Sequence, residues 1–224
     1  MKPGDYVLNL IKDAPKNRRT IALIRHSKRE SFNGIPDELR DSVGITEEGI
    51  VMAREFGEAM NQIPSVKRLL LGHTIAKRAE MTAQSIFDGY CSESQARILG
   101  CEPTITSPVV NLDNLVKVRN TFGWSNLIIK WLDEKIPGNT LRNPYEYTDE
   151  TLRNVLHYPG LGRGELLIIV AHDITLFPLI YSLFGENVKS IEFLNGIVIS
   201  ADTNIAEISF VDAKNTFKTE RRIS

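Results

Sequence analysis

Three of the chain's histidines each follow a short apolar run, with arginines close by. The run TIALI at 20–24 ends at Arg25 and His26, and Arg29 comes three residues later. RLLL at 68–71 breaks at Gly72 and His73 with Arg78 beyond, and ELLIIVA at 165–171 breaks at His172 and Asp173. Imidazole is largely uncharged near neutral pH, attacks readily and forms a phosphoramidate that water can cleave. A phosphomonoester carries nearly two negative charges, so attack on its phosphorus needs cations that cancel charge on the equatorial oxygens. Arg25, Arg29 and Arg78 are planar, permanently charged donors suited to that task. His26 would be the attacking group and His172 a further donor to the same oxygens. Taken singly, an arginine is ordinarily a solvated surface charge and a histidine a satisfied core group. Their joint placement after three apolar runs is what points to phosphoryl transfer.

That placement requires particular elements. Apolar runs of four to seven residues that stop abruptly at polar residues read as buried parallel strands, and in an open parallel sheet ligands bind at the strands' carboxyl ends. Helices are expected between them. Thr46 reads as an N-cap with Glu47 and Glu48 in the first turn and apolar residues following at helical spacing. A second helix is expected over 76–87, and a third over 174–184, bent or interrupted by Pro178. Segments 196–200, 206–211 and 216–223 alternate like antiparallel strands, with turns at 202–204 and 212–215. The stretch 101–158 holds several prolines and both tryptophans, and reads as a largely helical excursion over one end of the sheet. The expected fold is a three-layer α/β/α sandwich with a mainly parallel sheet, forming one domain over 1–224 with an insertion at about 101–158 covering the site.

Composition limits the alternatives. With 224 residues and 42% hydrophobic content the chain can bury a sizeable core. Its formal net charge is -1 and its lysines and arginines are scattered, which argues against nucleic acid or an anionic membrane as partner. The start of the chain lacks the apolar core of a signal peptide. The longest apolar run is far below the ~20 residues of a membrane-spanning helix. A cytoplasmic protein with Cys91 and Cys101 as free thiols is the expectation.

Four segments, LIRHSKR at 23–29, ITEEGIVMA at 45–53, HTIAKRAEMTA at 73–83 and IVAHDITL at 169–176, together resemble the histidine phosphatase superfamily, which includes phosphoglycerate mutases and histidine acid phosphatases. The segments occur in that family's order and span the chain from about residue 20 onward. The resemblance implies a phosphoglycerate mutase-like fold and a phosphohistidine on His26. It also implies a phosphate cradle of Arg25, Arg29, Arg78 and His172, and a small phosphorylated substrate. Phosphatase is the favoured activity; a phosphomutase or a catalytically weak phosphate-binding relative are the alternatives.

The family also needs a general acid. In its acid phosphatase branch an Asp directly follows the second histidine, which here is Asp173; the alternative is Asp113 in NLDNL at 111–115, near where the mutase-like branch has a Glu. Asp173 is favoured, although Asp is also a good helix N-cap. The family normally has Gly after its nucleophilic His, where this chain has Ser27. A serine would be strained there if the backbone required positive φ, or its hydroxyl could bond the phosphate. Neither a metal nor another cofactor is expected: His26, His73, His172 and Asp173 lack HxH or HExxH spacing, and three nearby arginines would oppose a cation. His73 and Thr74 could line the pocket mouth or simply pack. Lys117, Arg119, Trp124 and Trp131 in the excursion are expected to pack or solvate.

Overall fold

The computed structural model describes residues 2–90, 95–185 and 190–218. Seven strands form one sheet: β1 (Arg19–Arg25), β2 (Arg68–His73), β3 (Ala96–Cys101), β4 (Glu165–Ala171), β5 (Gly196–Ala201), β6 (Ile205–Phe210) and β7 (Ala213–Lys218). Their order is β3-β2-β4-β1-β5-β6-β7. The first four are mutually parallel, and β5, β6 and β7 extend the sheet antiparallel from β1. The helices are α1 (Asp5–Asp13), α2 (Glu47–Met60), α3 (Lys77–Gly89), α4 (Leu112–Phe122), α5 (Trp124–Leu132), α6 (Pro144–Leu156) and α7 (Asp173–Phe184), with a 3-10 turn at Asp37–Ser42.

Side-chain alternation along the strands builds two cores. Ala22, Ile24, Leu166, Ile168 and Val170 face α1, α2 and α3, whereas Ile21, Leu23, Leu167 and Ile169 face α5, α6 and α7. Because both faces are covered, β1 and β4 read in sequence as continuous apolar runs rather than alternating ones. The result is the expected three-layer sandwich with a parallel core. Among the described residues no helix is long and apolar enough to cross a membrane.

Most expected elements are present, and the departures have local causes. Thr46 caps α2 as anticipated, its hydroxyl accepting the Gly49 N–H at 2.9 Å. The apolar patch near the start of the chain belongs to α1, which buries Val7 and Ile11, one helical turn apart. Edge strand β3 has no counterpart in the sequence reading. Helix α7 is neither ended nor interrupted at Pro178, which sits in its middle and is buried among apolar neighbours. The turn expected over 212–215 is shorter, since β7 already begins at Ala213 and Val211 takes positive φ. The remainder of the expected strand over 216–223, and Cys91, lie outside the described residues; Cys101 is a free thiol.

Candidate functional site

Strand β4 sits between β1 and β2 and sets the register of both. Arg25 pairs with Ala171 and His73 with Val170. The next backbone groups continue that ladder, the His26 N–H donating to the Ala171 carbonyl at 3.0 Å and the Thr74 N–H to the Val170 carbonyl at 3.0 Å. His26, Thr74 and His172 thus leave three adjacent strands at the same level. The rings of His26 and His172 meet edge to face with centroids 5.3 Å apart.

His26 is almost fully buried. Its Nδ1 lies 2.7 Å from the Ser27 carbonyl, which can only accept, so Nδ1 carries the proton and Nε2 keeps its lone pair. Burial, with smaller contributions from Arg78, Arg25 and Arg29 against the opposing Ser27 bond, pushes the His26 pKa down to about 3. The ring is therefore neutral at physiological pH. His172 is driven well below its ordinary value by burial and then by Arg78, His26 and Arg25. Its Nε2 is 2.9 Å from Thr74 Oγ1, and its buried Nδ1 has no hydrogen-bond partner among the described residues.

Three arginines converge on this pair. Arg25, at the end of β1, donates to the Ile191 carbonyl, lies over the Phe193 ring at 4.4 Å and has Nη2 3.6 Å from Asp173 Oδ2. Arg78, in the first turn of α3, donates to the Arg40 carbonyl at 2.8 Å and to Asp41 at 3.4 Å. Arg29 stacks on Phe32 at 3.5 Å, and Arg40 and Arg78 approach the same ring at 5.0 and 5.5 Å. Burial and then the neighbouring guanidiniums pull Arg29 below its ordinary pKa; burial does the same to Arg78 against the opposing pull of Asp41. Packing like charges together costs energy unless an anion joins them, so the cluster has the electrostatics of an oxyanion site.

The loop after His26 is fixed by α2. The Lys28 carbonyl accepts the Thr46 N–H at 2.9 Å, and the Ser27 hydroxyl donates to the Gly49 carbonyl at 2.7 Å. Ser27 does not adopt positive φ, so its side chain meets no strain of that kind, and its hydroxyl proton is directed to α2. The Ser27 N–H donates to Thr82 Oγ1 at 3.0 Å, joining the loop to α3 as well.

His26, His172, Thr74, Arg25, Arg29 and Arg78 line one cavity of about 1020 Å³, which also takes in residues of the 3-10 turn and of 101–124. Asp173 lies in its wall. It occupies the first helical position of α7 rather than the N-cap, which is His172, and its Oδ1 accepts the Ile174 N–H at 2.8 Å. Asp113 is exposed on α4 and absent from the lining, so the alternative acid is not brought to the site. His73 turns away, its Nδ1 at 2.9 Å from the Thr74 carbonyl, whereas Thr74 lines the cavity. Trp131 is core, as expected, with Nε1 donating to the Arg142 carbonyl, and Lys117 is exposed outside the lining. Trp124 and Arg119 do face the cavity, the latter held by a bidentate pair with Asp37 at 2.6 and 3.0 Å. Phe32, Asp37, Arg40 and Asp41 carry no catalytic signature in sequence; they reach the site only through the path of the loop.

No protein-family model matches the chain, and no curated protein matches it in sequence. Solved structures do. The phosphoglycerate mutase of Bacillus anthracis str. Sterne superposes with TM-score 0.56 at 13% identity, covering 93% of this chain and 94% of that one. The alpha-ribazole phosphatase of Shigella flexneri gives 0.54 at 16% identity, with 87% and 96% covered. A mycobacterial glucosyl-3-phosphoglycerate phosphatase gives 0.52 at 12%, with 90% and 97% covered. With its parallel core, covering helices and near end-to-end superposition on these proteins, the chain has a phosphoglycerate mutase-like fold.

Proposed function

We propose that the chain is a phosphomonoester hydrolase of the histidine phosphatase superfamily, working without metal through a phosphohistidine on His26. The observation that carries the reading is the state of that ring: neutral, with Nδ1 committed to the Ser27 carbonyl and Nε2 unprotonated, amid Arg25, Arg29 and Arg78. In the first step the Nε2 lone pair attacks phosphorus and the bond from phosphorus to the ester oxygen breaks. Asp173, as general acid, delivers a proton to the departing alkoxide. In the second step water attacks the phosphohistidine, Asp173 takes a proton from it, and His26 and inorganic phosphate are released. The three arginines and His172 hold the equatorial oxygens throughout. That structures of the same fold include phosphatases for chemically different alcohols supports the reaction type and leaves the alcohol open.

The test is trapping with radiolabelled phosphomonoester. The wild type should accumulate an acid-labile, base-stable phosphoenzyme, and His26→Ala should lose both the label and turnover while remaining folded. Chelator should leave the wild-type rate unchanged. Turnover surviving in His26→Ala would overturn the proposal.

A further inference from the structure

The cavity is chemically two-ended. Its phosphate end is crowded with cations, whereas the wall formed by Ile75 and the segment leading into α4 and α5 is apolar. Ile75, Val110, Leu112 and Trp124 are large hydrophobic side chains exposed at 80%, 54%, 41% and 36%, and all four line this one cavity. Exposed apolar side chains gathered on one concave surface mark a binding face more often than chance packing does.

Several acceptors along that wall are already engaged within the protein. Thr106 Oγ1 accepts from Arg142 and the Thr106 carbonyl from the Tyr147 hydroxyl, at 3.1 and 3.0 Å. Ser107 Oγ accepts the Val109 N–H at 3.1 Å, and Glu102 accepts from the hydroxyls of Thr104 and Tyr158 at 2.9 and 3.0 Å. The Val110 N–H donates to the Thr140 carbonyl at 3.0 Å, and the Val109–Leu141 bridge holds the strip in place. A sugar or polyol laid along this surface would lose water from its hydroxyls and find these acceptors already occupied, whereas hydrocarbon would cover surface that is otherwise wet.

We infer that the substrate of this site is the phosphomonoester of a bulky apolar alcohol, with the phosphate held by the arginines and the hydrocarbon lying against Val110, Leu112 and Trp124. The inference rests on the phosphatase reading for the phosphate end and adds the class of the leaving alcohol. Whether the hydrocarbon is a chain or a fused ring is decided by testing both.

Calorimetric titration of the full chain with ethyl-, butyl-, hexyl- and octylphosphonate, below their micelle concentrations, reads the wall without requiring turnover. Covering one side of each methylene should strengthen binding about twofold per carbon, so that octylphosphonate binds on the order of fifty times more tightly than ethylphosphonate. Naphthylethylphosphonate forms the ring arm. Val110→Asp and Trp124→Ser should cut the octyl-to-ethyl ratio several-fold; because the ratio is taken within each variant, partial loss of folded protein cancels. The kcat/KM values of the matching alkyl phosphates, whose leaving groups are equally basic, should rise in parallel. A flat ratio with phosphate esters still hydrolysed would overturn the inference and leave the phosphatase reading intact. A steep ratio with no hydrolysis of any ester would do the reverse.

Discussion

Thr74 Oγ1 stands 2.9 Å from His172 Nε2, and this contact joins the end of β2 to the end of β4 inside the cavity. When the hydroxyl donates to Nε2, the proton of the neutral ring resides on Nδ1, the buried nitrogen without a partner among the described residues. In the proposed phosphatase this contact fixes the tautomer and the orientation of the His172 ring. Thr74→Val should lower kcat/KM for nitrophenyl phosphate about tenfold, the worth of one positioned hydrogen bond, while Thr74→Ser should stay close to wild type. Equal losses in the two variants would mean that methyl packing, not the hydroxyl, matters.

Asp173 is the first residue of α7 and also places Oδ2 3.6 Å from Arg25 Nη2, so its two roles need separating. An alkoxide leaves poorly without a proton, whereas nitrophenolate departs unaided. Asp173→Asn keeps the shape and should slow phosphoenzyme formation from alkyl phosphates by ~100-fold or more, with a much smaller loss on nitrophenyl phosphate. Matching losses on both esters, measured by rapid quench, would assign Asp173 to orienting the site.

Gly49 is where α2 abuts the loop that carries His26. A methyl group there would sit 2.2 Å from the Lys28 carbonyl oxygen, a backbone atom that cannot swing aside. Gly49→Ala should therefore destabilise the fold by about 2 kcal/mol and lower kcat/KM by displacing the Ser27–Gly49 contact. Gly138→Ala, whose added methyl meets nothing within 4 Å, should change stability by less than about 0.5 kcal/mol. Urea titration of both variants against wild type makes the comparison.

The buried histidines give stability a pH dependence whose sign is fixed by the lowered pKa values. In the unfolded chain they titrate near 6.5, whereas folded His26 titrates at about 3 and His172 well below its ordinary value. Above 6.5 both states are neutral and nothing is lost. As pH falls below 6.5 the unfolded chain takes up protons that the folded one cannot, so stability declines, with a limiting slope of about 1.4 kcal/mol per pH unit for each histidine. Urea midpoints measured in phosphate-free buffer should fall between about pH 6.5 and about pH 5, and the double variant His26→Gln, His172→Gln should show a shallower fall. An unchanged slope in the double variant would place the acid sensitivity elsewhere.

How far the sequence reveals this arrangement depends on burial. β1, β2 and β4 announce themselves because a strand covered on both faces must be apolar throughout, and their abrupt polar ends lead directly to Arg25, His26, His172 and Asp173. β3 does not, because as an edge strand it is only partly buried and carries Gly100 at φ 89. α1 is short, and its stripe of Val7 and Ile11 is too narrow to stand out. Phe32, Arg40 and Asp41 are ordinary loop residues one by one. Their place beside Arg29 and Arg78 follows from the pairing of the Lys28 carbonyl with Thr46 and of the Glu30 N–H with the Gly44 carbonyl at 3.1 Å, a tertiary path that periodicity does not encode.

The position of β4 between β1 and β2 has a consequence for biosynthesis. The strands carrying His26 and Thr74 do not touch each other; each is hydrogen-bonded to β4, whose residues are translated roughly a hundred positions later. A ribosome-bound fragment ending before Glu165 therefore holds β1 with neither of its strand neighbours and β2 with β3 alone. Such a nascent chain has surface to attract a chaperone and no assembled anion cradle. The cradle therefore depends on the seven residues of β4, which hold β1 and β2 in register with each other.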